Sequence, residues 1–215
     1  IEHVTYPDRE LQKGEEAPGP GVMGQGGPDA FGYTWRDSDD PFGPEFNWID
    51  LRATGTRIAN LTADDQNSGP IDLGFTFPFY GNEFTSVRVC TNGWLSFTSG
   101  VTSFSNAALP TGGMQRPNNL IAPFWDDLTF RGFARARYLA DGTKFIVQYT
   151  GVDKVAPSGA NLTFQVILYP NGTIVFQYLT MNGVLNSATM GMQNANRNVG
   201  LTVAHNIDYI HDNMA

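Results

Sequence analysis

The sequence has little charge, one cysteine and no long apolar run, and each shortage excludes a class of protein. Charged residues make up 16% of the 215 residues, and the 13 lysines and arginines are not clustered. Because nucleic-acid binding needs clustered basic side chains against the phosphates, we expect no nucleic-acid partner. No stretch reaches the roughly 18 apolar residues of a membrane-spanning helix, so we expect no membrane insertion. The net charge of -8 suits an extracellular or cell-surface protein.

The shortage of cysteine excludes a fold that is held together by disulfides. Cys90, in "SVRVCTNGW", has no second cysteine to pair with, so packing has to stabilise the fold. We interpret Cys90 as a small buried apolar side chain on a strand. The sequence also lacks a GxSxG nucleophile elbow, a phosphate-binding loop and a dinucleotide fingerprint. These absences argue against an enzyme.

What the chain does contain is strands and turns. It has 24 glycines and 13 prolines, with many β-branched and aromatic residues and no long helical periodicity. Asn92-Gly93, Asp141-Gly142 and Asn171-Gly172 each separate two alternating runs, which predicts hairpins with type I′ turns. Closely spaced turns without helices between them predict an all-β fold, an antiparallel β-sandwich of jelly-roll or Ig-like type with an extended N-terminal arm.

The third of these hairpins has apolar residues on both faces. This pattern indicates strands that are covered on both sides, either by extra packing within the sandwich or by an assembly. Phe164, Val166 and Leu168 share one face, and Gln165, Ile167 and Tyr169 share the other.

The first 28 residues differ in composition from the rest, so we divide the chain into an arm at 1–28 and a sandwich domain at 29–215. "IEHVTYP" can form a short strand, whereas the following polar and Gly/Pro-rich stretch cannot bury enough surface to fold alone. The arm is either a flexible tail or a segment that becomes ordered on another subunit. In the second case Ile1, Val4 and Tyr6 are the inserting side chains.

Two acidic stretches are the candidates for a cation site. Asp37, Asp39 and Asp40 lie close together in "RDSDDPFGP" and could bind calcium through their carboxylates, although aspartates are also ordinary turn residues. Asp126 and Asp127 end the apolar run "IAPFWDDL". These two carboxylates could form turn hydrogen bonds, complete a calcium site or act in a glycoside hydrolase together with a further carboxylate held across a cleft. Calcium is the one cofactor predicted.

The aromatic segment at 29–56 has two interpretations. It reads as an opening strand, a turn at "DSDDPFGP" and a second strand into "NWIDL". Tyr33, Trp35 and Trp48 could form a platform on which a sugar stacks, or they could simply pack against the sheet and core. In "IAPFWDDL" we expect Trp125 to be a core residue that packs on the "FTFPFY" strand.

Three stretches resemble a known pattern: "GPIDLGFTFPFYGNEFTSVRVCTNGWLSFTS", "NNLIAPFWDDL" and "FQVILYPNGTIVFQY". They resemble secreted bacterial β-domains and are more distantly similar to the nidogen-like extracellular domain, over about residues 27–215. The resemblance implies a non-enzymatic extracellular module. It does not identify an activity.

Three functions therefore stand as hypotheses. The first is a secreted structural subunit that forms a homopolymer, a filament or a surface array, by adding its N-terminal strand to a neighbour. The second is an adhesion module that binds carbohydrate or a cell-surface protein. The third is a glycoside hydrolase, which would need a second carboxylate facing Asp126 across a cleft.

Overall fold

The structure, a computed structural model, describes residues 24–215, and this part of the chain consists of strands and connections without a helix. Accordingly, the described residues include no helix that is long and apolar enough to cross a membrane. The residues proposed for insertion, Ile1, Val4 and Tyr6, lie outside this range. The strands are β1 (Gln25–Gly26), β2 (Trp35–Arg36), β3 (Thr56–Arg57), β4 (Ile71–Phe79), β5 (Asn82–Cys90), β6 (Trp94–Ser96), β7 (Leu120–Trp125), β8 (Leu128–Thr129), β9 (Arg135–Ala140), β10 (Phe145–Lys154), β11 (Asn161–Leu168), β12 (Ile174–Asn182), β13 (Thr189–Gln193) and β14 (Gly200–His205).

The strands form two antiparallel sheets that pack as a sandwich, which confirms the predicted fold class. Sheet A has the order β12-β11-β10-β9-β3, with β8 paired to β10, and sheet B has the order β14-β13-β7-β6-β5-β4. Consecutive strands pair in both sheets, β9 to β12 in sheet A and β4 to β7 in sheet B, because short turns favour neighbours. β1 and β2 form a separate two-stranded ribbon.

The predicted hairpins are present, but their turns are not of type I′. Gly93, Gly142 and Gly172 have positive φ, whereas the residue before each of them does not. These connections are longer than two residues, so a single left-handed residue is enough to reverse the chain. Positive φ at both turn positions occurs instead at Tyr80 and Gly81, between β4 and β5.

The main core lies between the two sheets and follows the strand alternation. Phe145, Val147 and Tyr149 of β10 are fully buried there beside Phe164 and Val166 of β11. The aromatic rings of Tyr149 and Phe164 stack with centroids 4.6 Å apart. The apolar inner face predicted for the third hairpin is therefore confirmed.

A strap, residues 44–51, covers the outer face of sheet A. Gln177 of β12 exchanges two hydrogen bonds with the main chain of Asn47, at 2.7 and 2.9 Å. Gln165 of β11 does the same with Ile49, with its amide oriented to donate at 3.3 Å and accept at 3.1 Å. Gln148 of β10 accepts from the backbone N–H of Leu51 at 2.8 Å. The three glutamines are direct cross-strand partners.

This arrangement corrects the strand predicted for "NWIDL". The strap is not a strand, because its main chain bonds to a ladder of side-chain amides rather than to a neighbouring backbone. It covers a second apolar cluster, formed by Leu51 of the strap with Ile146 and Ile167 of the sheet. The outer face of the third hairpin is thus covered from within the chain.

Residues 97–119 cover the outer face of sheet B. The indole N–H groups of Trp94 and Trp125 both donate to the carbonyl of Ser103, at 3.0 and 2.9 Å. Gln193 of β13 accepts from the N–H of Thr111 and donates to the carbonyl of Pro117, both at 2.7 Å. As on sheet A, a glutamine binds the main chain of the covering segment.

The packing predicted for Trp125 is wrong. Trp125 is fully buried, but with Trp94, Leu120 and Ala122 on the outer face of sheet B rather than against β4 in the main core. Ile121 and Phe124 face the main core instead. Simple alternation fails here because the pairing of β7 with β13 shifts register between Thr189 and Gly191.

Candidate functional site

A groove of about 520 Å³ lies on the side of the sandwich where both sheets end, in β12 and β14. It is lined by six consecutive residues around β2, 32–37, and by six around the start of β12, 171–176. Sheet B contributes apolar side chains from β13 and β14. These are Met190, Met192, Leu201 and Val203.

The groove leaves one edge of sheet A open. From Ile174 to Gln177, β12 pairs with β11 on one side, and on the other side no described strand pairs with it. Ile174 and Phe176 point towards the main core and are half-buried. An unpaired edge beside half-buried apolar side chains is a site where another strand can pair.

The C-terminal tail, residues 212–215, occupies one end of this space. Tyr178 of β12 donates its N–H to the carbonyl of Met214 at 2.9 Å and accepts from the N–H of Asn213 at 2.7 Å, as an antiparallel bridge. On its other side, the carbonyl of Ala215 accepts from the N–H of Ser38 at 2.9 Å. The tail therefore lies between β12 and the segment that follows β2, with backbone bonds to both.

The described chain begins beside this filled end. The carbonyl of Gly24 accepts from the N–H of Asp37 at 2.9 Å, and Gln25 and Gly26 of β1 then pair with β2. Gln25 and Gly26 belong to the part predicted as the arm, so this end of the arm is part of the ribbon beside the groove. The chain consequently enters β1 from the end of the groove that the tail occupies.

The aromatic residues proposed as a sugar platform are not together. Tyr33 and Trp35 line the groove, whereas Trp48 lies in the strap and stacks on Phe46 with centroids 6.4 Å apart. Tyr33 stacks on Phe31, and the Trp35 ring meets Tyr209 edge to face. Both groove aromatics are thus packed against other rings, and carbohydrate binding stays a prediction.

The first acidic stretch forms a hydrogen-bonded turn beside the groove. Asp37 is buried, and one oxygen accepts from the N–H groups of Asp39 and Asp40 at 3.0 and 3.2 Å. Its other oxygen accepts from the hydroxyl of Tyr209. Burial first, and then this bond to a carboxylate, raise the pKa of Tyr209. His211 contacts Asp39 at 3.0 Å.

The second acidic pair separates into two environments. Asp126 is buried and accepts from the ammonium of Lys154 and the hydroxyl of Ser187, both at 2.8 Å. Lys154, at the end of β10, is itself fully buried and also donates to the carbonyl of Val184 at 3.0 Å. Because Lys154 ends a strand of sheet A and Asp126 follows a strand of sheet B, the pair joins the two sheets.

Asp127, by contrast, lies near the carboxylates of Asp64 and Asp65. Burial first, and then the neighbouring carboxylates, raise the pKa of Asp127. Among residues 24–215, no group of three or more His, Cys, Asp or Glu side chains is placed to hold a metal ion. Calcium at Asp37, Asp39, Asp40, Asp126 or Asp127 therefore stays a prediction.

Most of the chain matches one known protein family. A family model described as NIDO related matches residues 33–211, which include both sheets, the strap and most of the wall of the groove. The chain belongs to the NIDO-related family. The likeness to the nidogen-like domain is thereby confirmed, and the family, which consists of non-catalytic extracellular domains, indicates an extracellular module. No curated protein and no solved structure was found to match the chain.

Sequence reasoning missed the features that build this NIDO-related domain around its groove. The glutamine ladder has a visible signal, since Gln148, Gln165 and Gln177 each stand between two apolar or aromatic residues within a strand. Lys154 has none, because a lysine at the end of a strand is usually exposed. The placement of the tail between β12 and Ser38 depends on tertiary packing and has no local signal.

Proposed function

We propose that this NIDO-related domain is a non-enzymatic structural subunit that self-assembles outside the cell. Its N-terminal strand is added to a neighbouring subunit, and copies join head to tail. A donor surface and an acceptor surface that differ from each other propagate without closing into a dimer. The product is a filament or a surface array.

The open edge of β12 is the observation that supports this proposal. It combines the unpaired strand side from Ile174 to Gln177 with an apolar groove at the same place. Strand addition obtains its affinity from main-chain hydrogen bonds and its specificity from alternate side chains that enter such pockets. An extracellular family with non-catalytic members is consistent with this role.

The covered sheet faces also favour association through edges. The strap lies over sheet A and residues 97–119 lie over sheet B, so both broad faces are packed against their own chain. Association face to face would first have to displace these segments, whereas association at β12 displaces none.

The arm can be tested without shortening the chain. In the variant, "IEHVTYP" is replaced by seven glycine and serine residues, and the rest of the chain is kept. We expect polymers of the wild-type chain by electron microscopy and light scattering, and monomers of the variant. A wild-type chain that stays monomeric at all concentrations, or a variant that polymerises equally well, would refute assembly through the arm.

A further inference from the structure

We infer that the groove is the place of one missing strand of sheet A, and that residues 1–7 of a second copy fill it. The inserted segment lies between β12 and the ribbon β1–β2. With it in place, the ribbon and sheet A form one continuous sheet. This inference rests on the proposed function and specifies its acceptor site and the face of the donor that enters it.

The tail indicates where an extended segment fits. Met214 and Ala215 already bond to Tyr178 on one side and to Ser38 on the other. The open part of the groove continues the same line, with 171–176 and 32–37 along it. A strand placed there meets β12 from Ile174 to Gln177, a length of roughly 13 Å at about 3.3 Å per residue. The tail limits how far it can extend.

The direction of the chain favours a second copy over the same chain. Gly24 lies beside Asp37, at the end of the groove that the tail occupies. Because β1 and β2 are antiparallel, β1 starts at that end of the groove and runs towards the open end. Insertion of its own residues 1–7 would therefore need a reversal of the intervening segment, whereas a neighbour's segment approaches freely.

Strand alternation assigns the side chains of the donor. In an extended segment, Glu2, Val4 and Tyr6 share one face, with the charged Glu2 at its start, and Ile1, His3 and Thr5 share the other. The face with Val4 and Tyr6 matches the apolar side of the groove, formed by Met190, Met192 and Leu201. Val4 and Tyr6 are therefore the side chains that enter the groove, and Ile1 lies on the opposite face of the inserted segment.

Full-length variants of donor and acceptor test the inference. The donor variant is Val4→Asp/Tyr6→Asp, with His3→Asp/Thr5→Asp as the control on the opposite face. The acceptor variant is Ile174→Arg. Its control is Ile71→Arg, a half-buried residue on β4, the edge strand at the far side of sheet B. By sedimentation velocity, we expect monomers of the donor and acceptor variants and polymers of both controls.

Mixing the variants distinguishes a second copy from the same chain. An equimolar mixture of the donor and acceptor variants has one intact arm and one intact groove, on different chains. We expect a heterodimer of one copy of each and nothing larger. A mixture that remains monomeric, while the wild-type chain forms polymers, would show that the groove of one copy does not accept the arm of another.

Hydrogen exchange separates failure of the groove from failure of assembly. We expect the amides of Ile174 and Phe176, which like that of Tyr178 point away from β11, to gain at least tenfold protection in wild-type polymers, while those of Val175 and Gln177, which face β11, serve as the internal control. If polymers depend on Val4 and Tyr6 but leave the amides of Ile174 and Phe176 unchanged, or if they still form with Ile174→Arg, the groove is not the acceptor site. The proposed function would stand in either case. A monomeric wild-type chain overturns both.

Discussion

Replacing Gln165 by methionine tests whether the glutamine ladder holds the strap. Gln165 is fully buried, and its amide makes both hydrogen bonds to the main chain of Ile49. Methionine has a similar length but no donor or acceptor, so both backbone groups lose their partner. A hydrogen bond contributes about 1 kcal/mol net, and a buried group left unpaired costs about 1–3 kcal/mol. For two groups we expect a loss of about 2–6 kcal/mol.

Amide hydrogen exchange measures this loss where it arises. A loss of about 2 kcal/mol lowers protection roughly 30-fold, since each 1.4 kcal/mol is a factor of ten. We expect this change at residues 46–51, together with a lower urea midpoint. Gln148→Met is the matched control, because Gln148 makes one bond to the strap, at Leu51, and its amide N–H donates instead to the hydroxyl of Thr150, so the loss of protection in the strap should be about half as large in free energy. Exchange in the strap that is the same in Gln165→Met and wild type would refute the role of the ladder.

Three further perturbations have defined outcomes. Lys154→Met leaves Asp126 buried without its cation and should lower the free energy of unfolding in urea by about 3–5 kcal/mol. The double variant Lys154→Met/Asp126→Leu should recover part of this loss. An equal or greater loss in the double variant would contradict the inter-sheet pairing. Burial raises the pKa of the Cys90 thiol to about 12, so a thiol reagent at pH 8.5 should label Cys90 only after unfolding. Since the folded state holds this proton more tightly, the contribution of Cys90 to stability is complete below its unfolded pKa and is lost as pH rises towards 12. Burial and neighbouring carboxylates raise the pKa of Asp127, so Asp127→Asn should raise the urea midpoint at pH 7. The gain should shrink as pH falls through the raised pKa of the folded carboxyl and vanish below the unfolded pKa; a gain that is independent of pH would exclude relief of charge as the cause.

The sequence predicted those parts of the fold that depend on local pattern. Alternation along "LTFQVIL" and turn residues at Asn171-Gly172 predict β11, β12 and their two covered faces, because strand pairing and the alternating faces follow directly from period and turns. The register shift beside β7 has no such signal, since it depends on how Gly191 fits its neighbours. For that reason the packing of Trp125 was predicted on the wrong side of sheet B.

The groove was less predictable than the fold around it. Tyr33 and Trp35 were recognised as candidates for a functional role, and both line it. Trp48 is a tryptophan like Trp35 and has a similar sequence context, but it lies in the strap, on the outer face of sheet A. What separates these residues is the path of the chain between 38 and 44, where Asp37 and Asp40 hold successive tight turns. Such a path is set by contacts with Tyr209 and the tail, far away in sequence.

The glutamine ladder has a consequence for how the sequence of the strap can change. The amides of Gln177, Gln165 and Gln148 bind main-chain groups, so they distinguish the position of a peptide but not its side chains. Asn47 is exposed, and its side chain takes no part in the ladder. Substitutions there should therefore be neutral, while the glutamines stay fixed. The outer face of sheet A therefore recognises a backbone, and a different peptide of the same length could be grafted there if it keeps the apolar side chains of Ile49 and Leu51.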